Sequence, residues 1–124
     1  MAAHSPELQV FKAEFFKALG HPVRIRLLEV LRRGERSVQE LQAALDLDQS
    51  TVSQQLAVLR AKHVVTARKE GTTVRYAVRD PRVGDLLDAA RGIFNAQLTG
   101  SQTMLHALRR ETRHSPRRRA RRAP

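Results

Sequence analysis

The spacing of apolar residues changes twice along the chain, and this limits the folds that it can adopt. Up to residue 63 apolar side chains recur every three or four positions, in short segments separated by Gly or Asp. Residues 64–68 then form a short run that is typical of a strand, residues 73–78 alternate between apolar and polar after a turn at Gly71, and helical spacing returns after residue 81. Spacing of three to four predicts amphipathic helices, whereas alternation predicts strands. The sequence therefore predicts helices interrupted by one two-stranded hairpin, which must pack on the helices because it is too small to be stable alone.

Capping residues mark the start of several of these helices. Ser37 is followed three positions later by Glu40, which is the spacing of a capping box. The third and fourth predicted helices are separated only by residues 46–48, with Asp48 or Ser50 as the cap of the fourth. Two short helices joined by a brief turn indicate a helix-turn-helix, and the hairpin that follows makes it winged. The predicted fold is mainly α with a small β-hairpin, a winged helix-turn-helix in the order ααααββα.

Positive charge is concentrated at the C-terminus. The chain has 23 Lys and Arg against 12 Asp and Glu, a net charge of +11, and residues 109–124 contain eight Arg and one Glu. Such a charge favours a polyanion as partner. We expect a flexible N-terminus over residues 1–6, one folded domain over 7–111 in which Gly100 is a candidate break of the last helix, and a disordered Arg-rich tail over 112–124. The tail is either a nonspecific phosphate-binding arm or a solvated segment without that role.

Composition and missing motifs exclude several classes of protein. Without Cys the chain forms no disulfide, thiolate metal site or thiol nucleophile. No apolar run approaches the ~20 residues that span a bilayer, and the N-terminus lacks the pattern of a secretory signal. We therefore expect a soluble, cytoplasmic protein with no membrane partner. No nucleophile has a base at a recognisable spacing and there is no phosphate-cradling Gly loop, so we predict neither an enzyme nor a cofactor.

The second helix of the predicted pair carries the candidate contacts to nucleic acid. In a helix-turn-helix this helix enters the major groove of double-stranded DNA, and its N-terminal residues reach the base edges. Gln can bond adenine through two hydrogen bonds, while Ser and Thr bond bases or phosphates. The same residues also suit the solvent-facing side of a structural helix, but their low helix propensity disfavours this alternative. The candidates are Gln49, Ser50, Thr51, Ser53, Gln54, Gln55 and Arg60.

The predicted hairpin is basic around its tip. Next to a recognition helix, such a tip can reach the neighbouring minor groove or its phosphates, and charge also protects an edge strand from pairing. Arg24 and Arg26, near the start of the second helix, are candidates either for phosphate contacts or for a solvated surface. The hairpin candidates for DNA contacts are Arg68, Lys69, Thr72 and Arg75.

Three stretches of the chain resemble the ArsR/SmtB family of bacterial transcriptional repressors. They are residues 19–24 (LGHPVR), 50–60 (STVSQQLAVLR) and 68–71 (RKEG). The resemblance implies a homodimer that is joined through the first and last helices. Such a two-fold dimer should bind an inverted repeat with half-sites ~34–36 Å apart. The interface residues that it implies are Phe11, Phe15, Leu87, Ile93, Phe94 and Leu98.

The metal sites of that family lack their ligands in this chain. One site uses cysteines in the third helix, where Ser37 and Gln39 stand here. Another uses an Asp-x-His pair at the start of the last helix, where Asp80 is present but Arg82 occupies the position of the His. No metal is therefore expected at either site. The remaining candidates, for a nickel or zinc site near the termini, are His4, His106 and His114.

The sequence thus predicts a dimeric repressor that occupies promoter DNA and is released by a signal. Since no sensor motif is visible, a small molecule or a partner protein is the expected co-regulator. Three alternatives stay open. They are a nucleoid-type protein that binds DNA without sequence preference, a nickel- or zinc-responsive repressor using the terminal histidines, and a winged helix that binds protein.

Overall fold

The computed structural model describes residues 5–113. Within them, five helices and three short strands follow each other as α1 (Pro6–Leu19), α2 (Pro22–Leu31), β1 (Arg36–Ser37), α3 (Val38–Leu45), α4 (Gln49–Ala61), β2 (Val65–Glu70), β3 (Thr73–Val78) and α5 (Arg82–Arg113). The chain divides into two compact units, Met1–Leu87 and Asp88–Pro124. The first contains all the described strands and the helices up to the start of α5, and the predicted winged helix-turn-helix is confirmed.

Side chains cap α1, α3 and α4, the last two at positions that the sequence predicts. The Ser5 hydroxyl accepts a hydrogen bond from the backbone N–H of Leu8 at 3.2 Å and begins α1. Ser37 and Glu40 form the predicted capping box, with reciprocal hydrogen bonds of 3.2 and 2.8 Å. Asp48, rather than Ser50, caps α4. Each cap satisfies backbone N–H groups that have no partner within the helix, so local sequence fixes where these helices begin.

The sheet has three strands rather than the two predicted. Its order is β1-β3-β2 and all pairs are antiparallel, with Arg36 opposite Tyr76 and Val65 opposite Val78. Gly71 provides the positive φ of 63° that the turn between β2 and β3 requires. The additional strand β1 has only two residues, which is too short to produce an alternating pattern in the sequence. It ties the hairpin to the start of α3.

The core of the first unit lies beneath the helix-turn-helix. The predicted inward side chains of α4 are all fully buried, and they pack in one cluster with leucines of α2 and α3 and the start of the hairpin. Burying such a side chain stabilises the fold by about 1.5–3 kcal/mol. The largest fully buried residues are Leu27, Leu28, Leu41, Leu56, Leu59, Val52 and Val65.

The helix α5 continues through Gly100, the candidate break, and the structure describes it as far as Arg113. Residues 112 and 113, which the sequence predicts as the start of the tail, are helical, and the rest of the predicted tail lies outside the described residues. No helix between residues 5 and 113 is long and apolar enough to cross a membrane.

Candidate nucleic-acid interface

The recognition helix α4 has a buried apolar side and an exposed polar side. Gln49, Ser50 and Gln54 are exposed, whereas Thr51 and Ser53 are half-buried beside them. The helix contains no acidic residue, and the Asp48 carboxylate in front of it accepts a hydrogen bond from the Thr51 N–H at 2.9 Å. Hydrogen bonds from the Thr51 side chain and backbone lower the pKa of Asp48. The first two turns of α4 therefore offer neutral donors and acceptors to an incoming ligand.

Gln55 differs from the other candidates on α4 because its side chain has a partner within the protein. It is half-buried, and its Oε1 accepts a hydrogen bond from Nη1 of Arg24 at 2.8 Å. Arg24 also donates to the backbone carbonyl of Ala18, so it holds the protein together in this structure rather than lying free for a phosphate. Arg26 similarly donates to the carbonyl of Leu45 at 2.8 Å, at the end of α3.

An open groove lies between α4 and the hairpin. It has a volume of about 400 Å³ and is lined by Ser53, Ala57, Arg60, Ala61 and Tyr76. Arg60 is exposed and Tyr76 is half-buried at this groove. The Ser53 hydroxyl, the Tyr76 phenol and the Arg60 guanidinium line this groove and provide hydrogen-bond donors for an anion such as a phosphate.

The two arginines of the hairpin form ion pairs with neighbouring glutamates. Arg68 donates through Nη2 to the Glu35 carboxylate at 2.6 Å, and Arg75 lies 3.6 Å from the same carboxylate. Arg75 is also 3.4 Å from a carboxylate oxygen of Glu40, and Glu70 lies within 4 Å of both arginines. The hydrogen bond from Arg68 is the main cause that lowers the pKa of Glu35. Both arginine charges are therefore partly balanced before any ligand binds.

Lys69 and Thr72 stand at the tip of the hairpin and are exposed. Among the described residues, Lys69 takes part in no ion pair. The tip thus carries one uncompensated cation, while the two arginines behind it are engaged with carboxylates. This arrangement fits both roles that the sequence left open for the hairpin, which are contact with DNA at its tip and protection of an edge strand by charge.

The residues proposed for the dimer interface differ in how much of each side chain is buried within a single subunit. Phe15 and Leu87 pack partly against the core of the first unit, and Phe15 contacts the Phe16 ring edge-to-face at 5.4 Å. Phe11 in α1 is 72% exposed. In the second unit the large apolar side chains of α5 are exposed, namely Ile93, Phe94, Leu98, Met104, Leu105 and Leu108.

The positions of the two metal sites of the family hold side chains that do not fit a metal ion. Arg82 holds both oxygens of the Asp80 carboxylate, at 2.6 and 3.0 Å, and lowers the pKa of Asp80 to about 2. Ser37 is buried and occupied in the capping box. Among residues 5–113, no three His, Cys, Asp or Glu side chains come close enough to hold a metal ion. His106 is exposed on α5, and the other two candidates, His4 and His114, lie outside this range.

An exposed polar second helix beside a basic hairpin is the arrangement of a winged helix-turn-helix domain of the DNA-binding type. Residues 21–66 match the family described as bacterial regulatory protein, arsR family. The chain is 43% identical over 106 residues to the HTH-type transcriptional regulator Rv0081 of Mycobacterium tuberculosis, across 85% of this chain and 93% of that protein. The chain belongs to the arsR family, which confirms the resemblance seen in the sequence.

Solved structures and a second relative agree with this assignment. The crystal structure of Rv0081 superposes with a TM-score of 0.70 and covers 78% of this chain and 97% of that one. The homodimeric winged helix-turn-helix DNA-binding domain of Mb0332 from Mycobacterium bovis gives 0.69 at 30% identity, over 79% and 94%. The biofilm growth-associated repressor of Agrobacterium fabrum is 42% identical over 84 residues, 68% of this chain and 72% of that protein.

The sequence did not predict which side chains from distant parts of the chain contact the residues of the candidate site. Glu35 meets Arg68 across 33 residues, and Arg24 meets Gln55 across 31. No periodicity links residues so far apart in the chain. The only signal was electrostatic, since a strand pair as basic as this hairpin favours acidic side chains on the neighbouring strand or loop.

Proposed function

We propose that the protein is a sequence-specific repressor that binds an inverted-repeat operator in double-stranded DNA as a homodimer. The observation that carries this proposal is the exposed, acid-free polar surface at the start of α4, next to the basic hairpin. Gln49, Ser50, Thr51, Ser53 and Gln54 would meet the bases and nearby phosphates in the major groove. The remaining proposed DNA contacts are Arg60, Lys69, Thr72 and the two hairpin arginines.

The exposed apolar side chains of α1 and of α5 support a dimer. Phe11 and Phe94 are large and more than half exposed, which is unfavourable in water unless another surface covers them. The related Mb0332 domain is homodimeric. A second copy would bring a second recognition helix, and the two would reach successive major grooves ~34–36 Å apart. The protein would act in the cytoplasm, and a small molecule or a partner protein would release it from DNA.

A binding titration tests the function directly. The full-length protein is titrated with the DNA upstream of its own reading frame and with random DNA of equal length, each with EDTA and with added nickel or zinc. A repressor should prefer the upstream DNA by ~10³-fold or more. Equal binding to both would make the protein a nucleoid-type DNA binder and overturn the proposal. A change of affinity with metal would instead support a site at the terminal histidines.

Gln54→Ala is expected to weaken operator binding by ~1–3 kcal/mol and to relax the preference at one base pair of each half-site. Gln54 is exposed, and among the described residues its side chain has no hydrogen-bond partner, so its amide is available for a base edge. The measurement is a titration against operators with single substitutions, and Gln39→Ala, at an exposed position on α3, is the control. A loss of equal size on operator and random DNA would refute base contact by Gln54.

Glu35→Gln is expected to raise the affinity for DNA and to steepen its dependence on salt. Removing the carboxylate leaves Arg68 with only the longer 3.6 Å pair to Glu70, so Arg68 can turn to a phosphate more easily. Each new phosphate contact adds about 0.9 to the slope of log affinity against log salt. The measurement is a salt series on operator and random DNA. Glu111→Gln removes the same charge from exposed α5 and serves as the control. An unchanged slope would mean that Arg68 stays away from the phosphates.

A further inference from the structure

The guanidinium of Arg24 joins three helices of the first unit. Arg24 lies in the first turn of α2, and its Nε donates to the carbonyl of Ala18 at 2.7 Å. Its Nη2 donates to the carbonyl of Lys17 at 3.1 Å, and its Nη1 donates to Gln55 of α4 at 2.8 Å. Carbonyls in the last turn of a helix have no partner within that helix, so Arg24 caps α1 and binds α4 with one planar group.

The bond between Arg24 and Gln55 has a fixed polarity. Arginine has only donors, so the atom of the Gln55 amide that faces it must be the carbonyl oxygen. Hydrogen bonds from a charged donor are also about twice as strong as neutral ones. The Gln55 side chain is therefore held towards α1 and α2, in contrast to Gln54, which is exposed to the solvent. Gln55 serves as an attachment point of α4 more than as a base contact.

The helix α1 has few other attachments to the first unit. Of its residues only Ala18 and Leu19, in the last turn, are buried, while Phe11 and Phe16 are 72% and 58% exposed. A second polar link joins Glu14 of α1 to the Lys62 ammonium at the end of α4, at 3.1 Å. Hydrogen bonds and ion pairs with Lys62 and Lys17 lower the pKa of Glu14. The Arg24 guanidinium and the Glu14–Lys62 ion pair therefore both connect α1 to the recognition helix α4.

We propose that Arg24 is a positioning residue, which fixes the recognition helix α4 relative to α1 and thereby sets the distance and angle between the two recognition helices of the dimer. This inference rests on the proposed function, in which α1 packs against the partner subunit. Since Arg24 binds the carbonyls at the end of α1 and the amide on α4, a shift of α1 against the partner is passed to α4. Loss of Arg24 leaves the Glu14–Lys62 ion pair as the remaining polar link between α1 and α4, so α4 is held less firmly and the dimer accepts half-sites at other spacings.

The test measures how strictly the protein recognises the spacing of the half-sites. An operator is selected with the wild-type protein from random duplexes, and a second version carries two extra base pairs between the half-sites. The insertion moves one half-site by about 7 Å and a fifth of a turn. We expect the wild type to lose ~100-fold or more in affinity, because one half-site is then out of reach, and Arg24→Ala to lose less than ~10-fold.

Three further variants separate positioning from charge and from folding. Gln55→Leu removes the amide on α4 that accepts from Arg24 but leaves Arg24 and its bonds to α1 in place. It should also lessen the effect of the insertion, which covers the case that Arg24→Ala fails to fold. Gln55→Glu keeps an acceptor for Arg24, so it should retain the spacing preference even though its added charge weakens binding to every duplex. Arg33→Ala removes an exposed positive charge elsewhere on the first unit and should behave as the wild type in its spacing preference.

The outcomes distinguish this inference from the proposed function. If the wild type selects no operator above random DNA, the proposed function fails, and the inference fails with it. If the wild type is selective and loses affinity on insertion, but folded Arg24→Ala and Gln55→Leu lose as much, the function stands and Arg24 is only a structural cap of α1. A reduced loss in both variants, with the wild-type loss retained by Gln55→Glu, supports the positioning role.

Discussion

Leu56→Ala is expected to lower the free energy of unfolding by about 2–5 kcal/mol. Leu56 lies on the inner side of the recognition helix and is 0% exposed, so the substitution removes buried methyl groups and leaves a cavity that the surrounding leucines fill only in part. Domains of this size have a total stability of about 5–15 kcal/mol, so a large share of it depends on this one side chain. Urea unfolding followed by circular dichroism measures the change.

Val58→Ala is the matched control for this substitution. Val58 lies two positions further along the same helix but is 36% exposed, so its truncation should change the stability by less than about 1 kcal/mol. Ala has a higher helix propensity than either Leu or Val, so a loss of stability in either variant cannot come from helix propensity. A loss below about 1 kcal/mol for Leu56→Ala would show that α4 is not anchored through this residue.

Phe94→Glu is expected to separate the dimer and to reduce operator affinity by about 100- to 10,000-fold. Phe94 is 56% exposed on the apolar side of α5, and a carboxylate there would have to lose its water to be covered by a second copy. Once the subunits separate, binding of one half-site no longer raises the local concentration of the second recognition helix. Sedimentation equilibrium measures the dimer, and a DNA titration measures the affinity.

Asn95→Glu provides the control for the charge. Asn95 is exposed and follows Phe94 directly, so it points about 100° away around the helix. It should leave both the dimer and the operator affinity within about threefold of the wild type, because a surface charge there contributes less than 1 kcal/mol. If Phe94→Glu stays dimeric, α5 does not form the interface and the exposed side of α1 must be tested alone.

Local sequence patterns predicted most of the fold. The starts of α3 and α4 followed from Ser37 and from the alternatives Asp48 and Ser50, because a cap is a contact between residues at most three apart. The hairpin followed from alternation and from Gly71. The strand β1 was not predicted, because two residues are too few to show a period. The uninterrupted α5 was not predicted either, because a glycine within a helix lowers helix propensity by only about 1 kcal/mol and does not have to end it.

The candidate site was predicted in its residue types but not in its connections. The exposure of Gln49, Ser50 and Gln54 followed from the position of the buried stripe on α4. The attachment of Gln55 to Arg24 and of Arg68 to Glu35 depends on how elements pack in three dimensions. The adjacent side chains Gln54 and Gln55 therefore have different roles, and only the partner of Gln55 elsewhere in the chain distinguishes them.

The ion pairs of the hairpin bear on how a protein of this family searches a chromosome. A genome offers about 10⁶–10⁹ competing sites, and every cation available for phosphates raises the affinity for all of them alike. With Arg68 and Arg75 paired to Glu35, Glu40 and Glu70, the hairpin attracts random DNA less than its count of arginines implies. A protein with fewer free cations leaves wrong sites sooner, so a larger share of its molecules remains free to find the operator.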